Sequence, residues 1–102
     1  MIYVIATIEL EDGQRDNFLQ EFRQIVPLVL AENGCIEYGP TIDIETNIGA
    51  QPDVRSNSAI IVEKWDSIEA LEAHLIAPHM LTYREKVKPF VKQVDLRIME
   101  PA

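Results

Sequence analysis

Residues 2–10, IYVIATIEL, are an almost unbroken apolar run rich in β-branched and aromatic side chains. Side chains alternate between the two faces of a strand, so a strand that is apolar on both must be covered on both. A lone hairpin or a strand on a wet surface cannot satisfy that demand. The chain therefore needs a sheet with helices on one face and further protein on the other. With 102 residues it is long enough for one hydrophobic core, and residues 1–102 are read as a single domain.

The remaining elements follow in order. Asp12 and Gly13 supply a turn, and residues 14–32 carry Phe18, Phe22, Ile25 and Val29 at helical spacing, with Pro27 expected to bend or divide that helix near residues 23–26. Asn33 and Gly34 stop it. Residues 35–44 read as a second strand in which Gly39 and Pro40 imply a bulge, a bend or an edge position. Residues 45–57 are polar and broken by Gly49 and Pro52, a connection long enough to suggest disorder, a lid or a dimer contact. Residues 58–66, SAIIVEKWD, form a third strand on which Ala59, Ile61, Glu63 and Trp65 share one face. Asp66 is the expected N-cap of the next helix, with Glu69 completing a capping box and Ile68, Leu71 and Leu75 on its apolar face. Ala77 and Pro78 interrupt that helix, and Pro78 starts another carrying Met80, Leu81, Tyr83, Arg84 and Val87. Residues 91–99 alternate again, with Val94, Leu96 and Ile98 on one face of a fourth strand.

The order β, α, β, β, α, β predicts an α+β, ferredoxin-like domain: a four-stranded antiparallel sheet with its helices on one side. The doubly apolar first strand predicts that the bare face of the sheet meets a second copy, giving a homodimeric α+β barrel. A hydrophobic content of 47%, high for so small a monomer, points the same way.

A formal charge of −8, from 17 acidic and 9 basic residues with the basic ones scattered, argues against nucleic acid and anionic membranes as partners. Cys35 is the single cysteine, which leaves no intrachain disulfide and no cysteine-based zinc site. No apolar run approaches the roughly 20 residues that span a bilayer, and no leader pattern opens the chain, so a cytoplasmic location is the default expectation.

GCIEY at Gly34 to Tyr38, then E-x-W-x-S-x-E-A-L-x-A-H at Glu63 to His74, then Pro78 and His79, resemble the antibiotic biosynthesis monooxygenase family over nearly the whole chain. The exception is the segment 45–57, which looks like an insertion. The resemblance implies the dimeric α+β barrel and an activity among those of the family: cofactor-independent oxidation of hydroquinones or anthrones by molecular oxygen, haem degradation, or isomerisation of a phosphorylated sugar. It matches Trp65 to a pocket tryptophan and His74 and His79 to two histidines of the pattern. Ile61 departs from the asparagine that some quinone-forming members carry. Ala6, Thr7 and Arg84 stand where haem-degrading members have an asparagine and a haem-ligating histidine, which argues against haem.

The resulting expectation is a monooxygenase without metal or organic cofactor, acting on a small aromatic substrate with molecular oxygen. His74 or His79 is the candidate base, since an imidazole titrates near about 6.5. Trp65 is a candidate apolar wall, Tyr38 and Tyr83 hydrogen-bonding groups, and Arg84 a positive charge for a phenolate. Glu63 either orients a histidine or forms an ion pair with Arg84 or Arg97. Each also has a plain structural reading: Trp65 as core, His74 as a helix-end group, His79 as a surface residue, Arg84 as half of an ion pair. The spacing of the two histidines and Glu63 matches no metal motif. A non-catalytic module binding a small aromatic ligand, a stress-linked barrel protein and an isomerase of a small polar metabolite are the competing readings.

Overall fold

The computed structural model describes residues 1–102. Its elements are β1 (Ile2–Leu10), α1 (Arg15–Leu30), β2 (Cys35–Thr41), β3 (Ser58–Trp65), α2 (Ile68–Leu75), α3 (Pro78–Val87) and β4 (Val91–Met99). The four strands form one sheet in the order β2-β3-β1-β4, and every neighbouring pair is antiparallel. This is the ferredoxin-like arrangement that the element order predicts, with the second helical segment in two pieces.

Period-two burial decides which face of the sheet carries the helices. Ile2, Val4, Ala6, Ile8 and Leu10 of β1 are buried, and they join Phe18, Phe22, Ile25 and Val29 of α1 and Met80, Tyr83 and Val87 of α3 in one core. Tyr3, Ile5 and Thr7, on the opposite face, are only half-buried. Within one chain β1 is thus covered on a single face, whereas its sequence calls for cover on both. The uncovered face is still partly closed by its own residues: Lys64 lies across from Tyr3 in the ladder, with Nζ 5.2 Å from the ring centroid.

Pro27 lies inside α1 and leaves it undivided, so of the two expected outcomes, a bend or a division, the division does not occur. Arg23 and Pro27 are both exposed, so the carbonyl deprived of its donor faces water, which replaces the lost bond. β2 ends at Thr41 rather than at residue 44. It is an edge strand, which accommodates Pro40 opposite Ile61, while its register shift falls between Cys35 and Glu37 rather than at Gly39. The N-cap of α2 is Ser67, not Asp66: the Ser67 hydroxyl accepts from the Ala70 amide at 3.1 Å. Asp66 instead donates its own amide to the Gly34 carbonyl at 2.9 Å. Asp and Ser are comparable caps, so adjacent ones are separated only by such a tertiary bond.

The segment 45–57 is tied down by its own polar groups instead of being disordered. Asp43 accepts from Nε and Nη2 of Arg55 at 2.9 and 3.0 Å and from its amide at 2.9 Å. Gln51 donates to the Ile44 carbonyl at 2.6 Å, and Arg15 reaches the Arg55 carbonyl at 3.1 Å. Ile44 and Ile48 remain exposed on this excursion. No helix is long and apolar enough to cross a membrane.

Candidate functional site

Helix α3 does not reach the β4 edge of the sheet. Val94 and Leu96 pair with Ile8 and Ala6 and therefore face the helix side, yet they stay 52% and 39% exposed. The gap between them and α3 is a cleft of about 390 Å³, a size suited to a small-molecule ligand. Its apolar wall includes Ala6, Ile8, Ile61, Val91, Val94 and Leu96. Its polar lining is Tyr38, Glu63, His74, Tyr83, Arg84 and Lys88. No residue of 45–57 lines it.

Glu63 and Trp65 share a face of β3 because they stand two residues apart, and the indole Nε1 donates to Glu63 Oε1 at 3.0 Å. Trp65 is 0% exposed and is no wall of the cleft. It supports the cleft from behind, with its ring 4.7 Å from that of His74. Burial pushes the Glu63 carboxyl up to about 7, against the lowering effect of the Trp65 hydrogen bond and with a further push from the charge of Glu32. Neither Arg84 nor Arg97 pairs with Glu63: Arg97 lies 3.7 Å from Asp95 on the exposed side of β4, and Arg84 forms no ion pair.

His74 is 2% exposed and lines the cleft, with the Tyr38 ring edge-on at 5.3 Å. Its Nδ1 meets both carboxylate oxygens of Glu32, at 3.2 and 3.0 Å. Burial lowers its pKa despite that carboxylate, and the positive charge of Arg84 adds to the lowering. Neutral pH therefore finds His74 as a neutral imidazole with an acceptor nitrogen to offer. Burial raises the Tyr38 and Tyr83 phenols above their ordinary values, which keeps both as hydrogen-bonding hydroxyls rather than phenolates. The Cys35 thiol, pushed up to about 11 chiefly by burial, is equally no nucleophile.

His79 lies outside the cleft. Its Nε2 is 2.6 Å from Glu32 Oε2, and it borders a separate, more polar groove with Gln24 and Lys86. The structure thus brings Tyr38, Glu63, His74, Tyr83 and Arg84 to one cavity and leaves Trp65 and His79 behind it. No three His, Cys, Asp or Glu side chains are arranged to hold a metal ion.

The family model described as antibiotic biosynthesis monooxygenase matches residues 1–86. The chain belongs to the antibiotic biosynthesis monooxygenase family. It is 42% identical, over 99% of its own length and 98% of the other, to YgiN of Escherichia coli K12, a probable quinol monooxygenase. Among solved structures, PA3566 from Pseudomonas aeruginosa superposes with a TM-score of 0.82 at 24% identity, covering 99% of this chain and 93% of that one. Rv0793 from Mycobacterium tuberculosis superposes at 0.80 and 22%, covering 99% and 94%. At those identities the two structures speak for the fold, and the enzyme class of this family member, a monooxygenase, rests on the family match and on YgiN.

The residue that sequence reasoning missed is Glu32. Its only signal was an acidic side chain at the end of α1 just before GCIEY, a position where the helix dipole disfavours negative charge.

Proposed function

We propose that this family member oxidises a hydroxylated aromatic compound, a quinol, anthrone or related polyphenol, with molecular oxygen and without a metal or organic cofactor. The observation that carries the reading is His74: a buried, neutral imidazole on the wall of a largely apolar cleft, with one nitrogen committed to a carboxylate and the other free. The 42% identity to a probable quinol monooxygenase supports the same class.

In this reading the ring lies against Tyr38, Ile61 and Leu96, and His74 takes a phenolic proton as general base. Arg84 and Lys88, the only cations lining the cleft, favour the phenolate electrostatically. The electron-rich anion reduces oxygen and forms the new carbon–oxygen bond, and His74 returns its proton as the peroxide loses water. The stoichiometry closes: one substrate carrying two removable hydrogens and one O2 give the singly oxygenated product and one H2O. The apolar wall keeps bulk water from the reactive carbon. Tyr38, Tyr83 and Glu63 serve as hydrogen-bonding partners of the substrate oxygens.

We also propose that the bare face of the sheet, with half-buried Tyr3, Ile5 and Val62, packs against a second copy to form a homodimer, which light scattering would detect. Oxygen uptake with a panel of hydroquinones and anthrones tests the activity. Saturable uptake that falls at least about tenfold in His74→Ala is expected; no uptake with any of them, or uptake indifferent to that change, defeats the reading.

A further inference from the structure

The geometry points to Glu32 as the positioning residue of His74, with His79 positioning Glu32 in turn, because one carboxylate reaches across to both imidazoles. The catalytic consequence rests on His74 being the base in the reading above; the placement of protons on the two rings does not.

Glu32 sits in the turn that follows α1, and its backbone is fixed at both ends. Its amide donates to the Val29 carbonyl at 2.9 Å, and its carbonyl accepts from the Cys35 amide at 3.2 Å. Two residues on, Gly34 has φ +84, and a Cβ there would lie 2.5 Å from Asp66 Oδ1 and 2.6 Å from the Ala70 Cβ. That contact lets the turn close against the start of α2, the helix that carries His74. The end of a helix is an unfavourable place for a carboxylate, and α1 has no basic residue in its last turn to compensate. The compensation comes from the two imidazoles, 42 and 47 residues further along the chain.

An ionised carboxylate only accepts hydrogen bonds. The contacts at 3.0 and 3.2 Å therefore place the His74 proton on Nδ1 and leave Nε2 as its one acceptor. By the same logic the 2.6 Å contact places a proton on Nε2 of His79. The two histidines carry protons on opposite nitrogens although they face the same carboxylate. Without Glu32, either nitrogen of His74 can hold the proton, and half of the chemistry of the ring is turned away from a substrate hydroxyl. His79 takes one oxygen of Glu32 and so fixes the rotation of the carboxylate that His74 meets. Glu63 on β3 and Arg84 on α3 are the other charged groups around His74. Neither is hydrogen-bonded to its ring, so neither fixes its tautomer.

The test is 15N NMR of the histidine-labelled protein combined with kinetics on whichever quinol the wild type oxidises. Expected are a pyrrole-like Nδ1 and pyridine-like Nε2 for His74 in the wild type, and a mixed or inverted pattern in Glu32→Gln, whose amide can donate as well as accept. kcat should fall at least about tenfold in Glu32→Gln while KM changes less than about threefold, the signature of a lost transition-state contribution. His79→Gln should keep the His74 pattern and lose less of kcat. A wild-type His74 protonated on Nε2 overturns the inference, as does Glu32→Gln with an unaltered His74 pattern. The wild-type spectrum needs no variant to fold. A wild type that oxidises no quinol removes the proposed function, and the tautomer then decides the role of Glu32 by itself.

Discussion

Two carboxylates of this chain, Glu63 and Asp43, are shifted in opposite directions, and the contrast separates the buried cleft from the exposed excursion that follows β2. Asp43 lies at the surface, bonded through both oxygens to the Arg55 side chain, which holds its carboxyl down to about 2. Glu63 has a single indole N–H as partner, and burial lifts it to about 7. An exposed, well-paired carboxylate is ionised throughout the working range and ties a loop together. A buried one with too few partners stays poised between two protonation states, at a cost in stability that a purely structural residue would not incur.

The largest effect expected outside His74 comes from the backbone that holds the buried region in place. Gly34→Ala sets a Cβ at a positive φ into the side chain of Asp66 and the Cβ of Ala70. It should cost about 2 to 4 kcal/mol, read as a lower urea midpoint with an unchanged slope. A wild-type midpoint would mean that the turn carrying Glu32 is softer than its contacts with Asp66 and Ala70 imply.

Glu63→Gln comes next. The folded-state pKa of Glu63 is raised above its ordinary 4.5 to about 7. The protonated form is therefore the one the fold favours: the contribution of Glu63 is fully present below about pH 4.5 and is lost as pH rises through about 7. The difference is on the order of 3 kcal/mol. Glu63→Gln should flatten the stability curve between those limits and make the protein more stable than wild type at pH 8. A stability difference from wild type that does not vary with pH would show Glu63 to be ionised throughout.

Trp65→Phe should act more gently and in the opposite sense to a pairing charge. The indole hydrogen bond lowers the Glu63 pKa, so its removal should move the Glu63 titration to higher pH, visible by 13C NMR of the labelled carboxyl. An unmoved midpoint would break the link between the two side chains. The smallest effect belongs to Asp43→Asn. Asp43 is held below its ordinary 3.8, so its contribution is present above that value and is lost as pH falls through about 2. The change should leave cleft chemistry untouched and alter thermal stability less than any of the others, and less still in high salt. A loss of oxygen uptake in that variant would tie the 45–57 segment to the site after all.

The same contrast explains what could be read from the sequence. Periodic elements were legible: a two-residue spacing put Glu63 beside Trp65, and the strand, helix and strand order gave the antiparallel sheet. The cleft-facing histidine was legible only as one of a pair, because nothing local says which side of α3 His79 falls on. Glu32 was not legible as a partner, since a polar residue in a turn looks the same whether it meets water or two imidazoles more than forty residues away. The segment 45–57 read as loose because its composition is polar and broken. Its order comes from specific polar contacts, chief among them one Arg and one Asp twelve residues apart, which composition does not encode.

Trp65 is the only tryptophan in the chain. Its indole sits with its N–H on Glu63 and its ring tilted against that of His74, 4.7 Å away. The tryptophan emission, excited at wavelengths tyrosine does not absorb, is therefore a single-site signal. Protonation of either neighbour, or a ring entering the cleft beside them, can be followed as a change in light from one position, without any label.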